Sequence, residues 1–309
     1  MSKKMYFRNA LLMLGTFAAV LGLSTVRAFA TGPSSVTMTV TAVGKKDTTP
    51  PEVKKDDIQL YQGKERLQVA DWKRAETLYL AVLIDDSLDS VIASQWSDLK
   101  AFIAAQPPTT YVSVFYGRNG TAMLAQDFTN DHVLAAKALR IPIGGRGAFS
   151  SPYLELQDLM KRWPSTGDRR SILMITSGID YFRGNFGPTS PDLDPTIERA
   201  QKQNINIWTI YAPDSGHFGR GFFRVSLAQS NLSQLSDETG AESFYLGLGE
   251  PVTLKPYFDE IGLHLANQYL LTFESSGGKK GRFERVRVVS ELANLEFLTP
   301  SEVFVPASQ

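Results

Sequence analysis

The chain has 309 residues, room for one large domain or two small ones. Its composition is 43% hydrophobic, 21% charged and 11% aromatic, which excludes disorder, collagen and low-complexity fibres. The 32 Lys and Arg balance 32 Asp and Glu, so no global basic field exists to hold nucleic acid. Cysteine is absent, which removes disulfide frameworks, thiolate metal sites and Cys nucleophiles. The histidines at 132, 217 and 264 are far apart and form no HExxH pair, which argues against a His-rich zinc site.

Residues 1–30 read as a secretory signal. Lys3, Lys4 and Arg8 are its basic start, Ala10 to Ser24 its uncharged apolar stretch, and Ala28-Phe29-Ala30 its cleavage site. The apolar run is short of the ~20 residues that a spanning helix needs. The expectation is a mature chain beginning at Thr31, periplasmic or extracellular, with no membrane span after cleavage. Losing the signal removes four basic residues (Lys3, Lys4, Arg8, Arg27) and no acid, so the mature protein is mildly acidic.

Val36 to Val43 alternates apolar residues with threonine, the period of a half-buried strand. Ile58 and Leu60, then Leu67 and Val69, repeat the pattern around Gln62-Gly63-Lys64. Residues 31–73 therefore form an N-terminal β segment. Leu78 to Ile84 is continuously apolar, as in a strand buried on both faces. Ile92, Trp96, Leu99 and Ile103 then predict a helix. Tyr111 to Gly117 and Thr121 to Phe128 predict strands joined by an Asn119-Gly120 hairpin. Ser151 before Pro152 predicts a helix start, with Leu156, Leu159, Met160 and Trp163 on one face. Strands follow at 172–176, 205–211 and 243–246, and helices at 194–204, 226–239 and 253–267. From 269 only strands are predicted: 269–274, 283–289, 295–298 and 302–305.

The fold class that follows is α/β. Residues 74–268 form a doubly wound, mostly parallel six-stranded sheet with one antiparallel edge strand. It is flanked by a small β-sandwich built from both termini, with 269–309 pairing with 31–73. Neither strand-only end is large enough to stand alone.

Leu83-Ile84-Asp85-Asp86-Ser87-Leu88-Asp89-Ser90 closes the first buried strand. Alternating carboxylates and hydroxyls in such a turn offer hard oxygen ligands for Mg²⁺, Mn²⁺ or Ca²⁺. Ligands of open α/β sheets bind at the carboxyl ends of strands. The other reading has Asp89 or Ser90 simply capping the next helix. Asp85 and Asp86, adjacent on a strand end, point to opposite faces, which argues against an acid–base pair.

The chain resembles the von Willebrand factor type A family, and within it the exported bacterial VWFA-related proteins. The resemblance spans about 75–268. It rests on Leu80-Ala-Val-Leu-Ile-Asp-Asp-Ser87, the Gly144-Gly145 approach to a serine-led helix, Ile172-Leu-Met-Ile-Thr-Ser-Gly178, Ala200-Gln-Lys-Gln-Asn-Ile-Asn-Ile-Trp-Thr-Ile210, Leu235-Ser-Asp-Glu-Thr-Gly240 and Asn267-Gln-Tyr-Leu-Leu-Thr-Phe273. It implies strand order 3-2-1-4-5-6 and a metal-ion-dependent adhesion site made of D-x-S-x-S, a threonine from a second loop and an aspartate after a further strand. Asp85 and Ser87 match that pattern. Asp89 stands where the second serine belongs, Ser150 or Ser151 where the threonine belongs, and Ser177 where the last aspartate belongs. Asp180, three residues on, is a further candidate. The implied site is thus degenerate, with one carboxylate gained and one lost.

No G-x-S-x-G elbow or Walker loop occurs, so the chain reads as a non-enzyme. The segments 181–191 and 213–225 leave carboxyl ends of parallel strands. They carry Phe182, Arg183, Phe186, His217, Phe218, Arg220, Phe222, Phe223 and Arg224, the residue types that anchor interfaces. The alternative for these aromatics is local core over the sheet. The functional expectation is an exported, adhesion-type protein-binding module. Its partner is a protein or extended surface ligand whose exposed carboxylate completes the cation's coordination. The alternative is a structural component of a cell-envelope assembly, binding through its β-rich ends without metal.

Overall fold

The computed structural model describes residues 33–45, 48–144, 151–164, 169–181, 190–215, 221–244, 247, 252–276 and 280–307. The chain opens with strands β1 (Pro33–Gly44), β2 (Ile58–Gln62), β3 (Glu65–Leu67) and β4 (Val69–Lys73). The α/β block follows as β5 (Leu78–Asp85), α1 (Trp96–Ala104), β6 (Thr110–Arg118), β7 (Thr121–Thr129), α2 (His132–Lys137), α3 (Pro152–Lys161) and β8 (Arg169–Thr176). It continues with α4 (Leu193–Gln203), β9 (Ile205–Tyr211), α5 (Phe222–Glu238), β10 (Ser243–Phe244) and α6 (Lys255–Ala266). Strands β11 (Gln268–Ser276), β12 (Arg282–Ser290), β13 (Leu295–Leu298) and β14 (Glu302–Val305) end the chain. Among the described residues, no helix is long and apolar enough to cross a membrane.

The central sheet has the order β10-β9-β8-β5-β6-β7. All pairs are parallel except the β6–β7 hairpin at one edge. Counted within the block, this is the order 3-2-1-4-5-6. The hairpin turns on Asn119 and Gly120, both with positive φ (51° and 72°), as the Asn-Gly pair predicts. The parity of β5 divides two cores. Leu80, Val82 and Ile84 pack with α1 and α6, whereas Ala81 and Leu83 pack with α3 and α4. Both faces are covered, which is why these strands are continuously apolar.

Two four-stranded sheets surround a third core. Their orders are β13-β1-β11-β4 and β14-β12-β2-β3. Each mixes strands from both ends of the chain, and β1 runs antiparallel to β11 from Pro33↔Ser276 to Thr41↔Gln268. Met38, Val40, Leu60, Leu271, Phe273 and Val305 are buried between them. This β-unit meets the block at the carboxyl ends of α4 and α5. Asn204, left-handed at φ 52° after α4, accepts the Thr39 N–H through its Oδ1 at 2.8 Å. Thr239, after α5, bridges to Pro300. Helices run antiparallel to the strands they follow, so these contacts lie at the amino edge of the central sheet. The carboxyl edge faces away from them.

Three elements differ from the sequence expectation. The helix expected from Ile92 begins as a 3-10 turn, Ser90–Gln95, before α1. Helix α5 starts at Phe222 rather than Ser226, one turn earlier, with extended Gly221 at its N-cap position. Ser151 does precede Pro152 at the start of α3, but its hydroxyl makes no cap hydrogen bond.

Phe273 sits on β11, between β1 and β4, and is fully buried. Phe273→Ala should cost about 3–5 kcal/mol, the range for deleting a core phenyl ring. Urea denaturation of both proteins measures it.

Candidate functional site

Asp85 is the last residue of β5 and follows Ala81 and Leu83 in parity, so its side chain turns to the α3 side of the sheet. It is fully buried. Its Oδ1 accepts the Ser87 N–H at 2.9 Å, and its Oδ2 accepts the Thr176 hydroxyl at 3.0 Å. Asp86, one residue on, turns to the other side. Arg140 holds it through two hydrogen bonds of 2.7 and 2.8 Å and sits over the Tyr116 ring, its Cζ 3.7 Å from the ring centre. The two adjacent acids therefore have separate partners on opposite faces, as strand geometry dictates.

A second buried carboxylate enters from β9. The chain after β9 passes through Pro213 to Asp214 and pairs with the turn after β5. Asp89 N–H donates to Pro213 O at 3.1 Å, Ser215 N–H donates to Ser87 O at 3.0 Å, and Leu88 bridges to Asp214. This antiparallel clasp puts Asp214 Oδ1 2.8 Å from Ser87 Oγ, while Asp85 Oδ1 lies 2.7 Å from the same oxygen. A hydroxyl has one hydrogen and donates to one carboxylate at a time. The other contact is satisfied when Asp214 is protonated and donates to Ser87. Burial pushes the Asp214 pKa up from 3.8 to about 7, and the Asp85 charge pushes the same way. The hydroxyls of Ser87, Ser177 and Tyr181 act in the opposite direction. Asp214 Oδ2 is buried without a hydrogen-bond partner.

Glu155 of α3 closes the site on its helix side. It is fully buried and accepts the Ser151 N–H at 3.4 Å. Burial, then the Asp85 charge, raise its pKa well above the usual carboxylate range. Its Oε2 and the Ser151 Oγ are buried without hydrogen-bond partners. Gly117 makes room for it. A Cβ at 117 would stand 2.0 Å from Glu155 Oε2, well inside contact distance.

Asp85, Ser87 and Asp214 thus converge, with Ser177 beside Asp214. Asp89 accepts the Val91 N–H at 3.2 Å and caps the 3-10 turn; of the two readings open for it, the capping one describes this contact. Asp180 accepts the Ser190 hydroxyl at 2.7 Å and lines a cavity of about 250 Å³ with Tyr153, Phe223 and Arg224. Ser150 lies outside the described residues, as do Phe182, Arg183, Phe186, His217, Phe218 and Arg220. Phe222 and Phe223 are 74% and 71% exposed, so they do not plug the core. Sequence reasoning passed over Asp214 and Glu155. The signal for Asp214 was its place three residues after a buried strand, where the loop's aromatics and arginines drew the attention instead.

The donor set fits a hard divalent cation. It is all oxygen, with two carboxylates and a hydroxyl. The 2.7 and 2.8 Å oxygen spacings approach the edge of an octahedron with bonds of about 2.0–2.1 Å, as Mg²⁺ requires. Asp214 Oδ2, buried without a hydrogen-bond partner, adds a further carboxylate oxygen to the set.

The strand order is that of an α/β domain with a von Willebrand factor type A-like fold. Structural neighbours are type A domains. A conserved hypothetical protein, BatB from Bacteroides thetaiotaomicron, has 10% identity, covering 61% of this chain and 97% of its own, with a TM-score of 0.45. A von Willebrand factor type A protein from Catenulispora acidiphila has 12% identity, covering 91% of this chain and 75% of its own, at 0.44. The SpRpn10 VWA domain has 11% identity, covering 61% and 97%, also at 0.44. No family model and no curated protein sequence matches the chain.

Gly117→Ala should displace the Glu155 carboxylate and lower the thermal midpoint, and Glu155→Ala in the same chain should recover part of the loss. Calorimetry on the single and double variants measures both. For Asp214, the folded state holds a proton between pH 4 and 7 that the unfolded chain has released. Stability should therefore fall as pH rises from about 4 to about 7 and level off above. Glu155 adds a slope of the same sign. Asp214→Asn, which cannot titrate, should flatten the profile in part; urea midpoints taken in chelator across that range measure it.

Proposed function

We propose that the protein is an exported, non-catalytic binding module of the adhesion type, working in the periplasm or outside the cell. Type A modules typically mediate protein binding. Here the contact face is the carboxyl edge of the central sheet, which the β-unit leaves uncovered. The observation that carries the reading is the Asp85–Ser87–Asp214 cluster, whose buried Asp214 Oδ2 has no partner. Asp85, Ser87 and Asp214 would hold Mg²⁺, Mn²⁺ or Ca²⁺, and the cation supplies a Lewis-acidic position for a carboxylate of the partner. The protein's own groups hold a proton on Asp214 otherwise, so the cluster keeps its net charge low either way. Phe222 and Phe223, exposed on the first turn of α5, supply apolar anchors on the same side, with Arg224 next in sequence. The partner is a protein or extended surface ligand with an exposed carboxylate.

Titration calorimetry with Mg²⁺ and Mn²⁺ should give a binding heat that Asp214→Asn removes. Capture of partner from envelope extract should weaken in chelator. It should also weaken at least about tenfold in the Phe222→Ala, Phe223→Ala double variant, as expected for hot-spot residues. Thermal stability of that variant should change little, since both rings are in solvent. Capture that survives the aromatic changes and chelator would move the interface to the β-rich ends and favour the envelope-scaffold alternative.

A further inference from the structure

A second polar cluster lies at the β10 edge of the central sheet, three strands away from Asp85. Glu242 immediately precedes β10, and Glu260 and His264 lie one turn apart on α6. One ligand atom from each of the three side chains comes within 4.8 Å of the others. Residues at i and i+4 share a helix face, so Glu260 and His264 present their donors together, and Glu242 meets them from the sheet.

His264 marks this as more than a group of surface acids. The residue is 3% exposed. Its Nδ1 is buried without a hydrogen-bond partner and stands 3.9 Å from Glu242 Oε2. A buried imidazole nitrogen normally finds a partner, because leaving a polar atom unmet in the interior is costly. Here the ring is fixed instead by the buried Trp208, whose ring centre lies 5.4 Å away. Burial alone lowers the His264 pKa to about 4, which leaves the imidazole neutral and its lone pair available at neutral pH. Burial raises the Glu242 pKa, and the charges of Glu260 and Asp237 raise it further. The arrangement is therefore a neutral nitrogen donor facing crowded carboxylates.

We propose that Glu242, Glu260 and His264 form a binding site for a divalent transition metal of the zinc class. One imidazole and two carboxylates make a three-ligand set that suits Zn²⁺ and leaves its fourth position open. Tetrahedral bonds of about 2.0–2.1 Å place donor atoms about 3.3 Å apart. The observed spacing, up to 4.8 Å, has to close by up to about 1.5 Å, chiefly at the two glutamate side chains. The bound ion pins the edge strand β10 to α6. The site shares no residue with the Asp85 cluster and stands whether or not that cluster takes a cation.

The test uses chelator-treated purified protein titrated with Zn²⁺ by calorimetry and with Co²⁺ by absorbance and tryptophan fluorescence. Zn²⁺ should bind, and Co²⁺ should give a visible ligand-field band and quench fluorescence through Trp208. Glu260→Gln and His264→Gln should each weaken Zn²⁺ binding by more than the roughly tenfold that loss of even a supporting contact costs. Asp214→Asn should leave the Co²⁺ quenching intact. Circular dichroism checks that each variant is folded. If His264→Gln does not fold, Glu260→Gln and Glu242→Gln carry the test. Absence of a Zn²⁺ heat in the parent protein, or binding unchanged in Glu260→Gln, overturns the proposal.

Discussion

Ser87 Oγ stands 2.7 Å from one buried carboxylate and 2.8 Å from another. Two negative charges in that space, shielded from water, repel strongly. Something positive has to reside there. In the protein alone it is a proton: burial first, and then the Asp85 charge, raise the Asp214 pKa to about 7. A divalent cation would meet the same need with more charge. The carboxyl edge of the sheet is therefore arranged around a charge deficit. The clasp between 87–89 and 213–215, the Thr176 hydroxyl on Asp85 and the sealed Glu155 serve to hold that deficit in place.

The β-unit lies at the opposite edge of the sheet. The β-sandwich made from the two chain ends packs where α4 and α5 finish, through Asn204 and Thr239. That is the amino edge of the strands, so the sandwich braces the block from below. Neither half of the sandwich has a complete sheet by itself. Each of its two sheets interleaves strands from before and after the α/β block, so closing the block brings both halves together.

Polarity within the block is partitioned by strand parity. Even-numbered residues of β5 face α1 and α6, and odd-numbered ones face α3 and α4. This alone sends Asp85 and Asp86 to opposite sides, one into the cluster and the other to Arg140. Asp86 is neutralised by a bidentate arginine, the strong form of charge-assisted pairing. Asp85 has only hydroxyl and amide donors among its hydrogen bonds described above. Two adjacent acids thus meet different surroundings, a guanidinium on one face of the sheet and hydroxyl and amide donors on the other.

Periodicity and turn chemistry made most of the fold legible in the sequence. A continuous apolar run marked β5, the next apolar stretches marked β8 and β9, Asn119-Gly120 marked the hairpin, and strand-only ends marked the sandwich. These are local signals, written within a few consecutive residues. The site was only half legible. Asp85 and Ser87 sit in one turn, and their alternation could be read directly. Asp214 is 127 residues from Ser87, and nothing in its own neighbourhood announces a carboxylate partner. That proximity depends on which strand ends lie side by side and on a clasp made by backbone hydrogen bonds. Likewise, Phe222 and Phe223 are equally compatible with core and surface until the start of α5 is fixed, and His264 reads as an ordinary helix residue until β10 brings Glu242 against it. The sequence by itself determined the elements and the faces they bury, because periodicity is a short-range property. Tertiary structure decided which charges meet, because a buried charge is governed by neighbours in space.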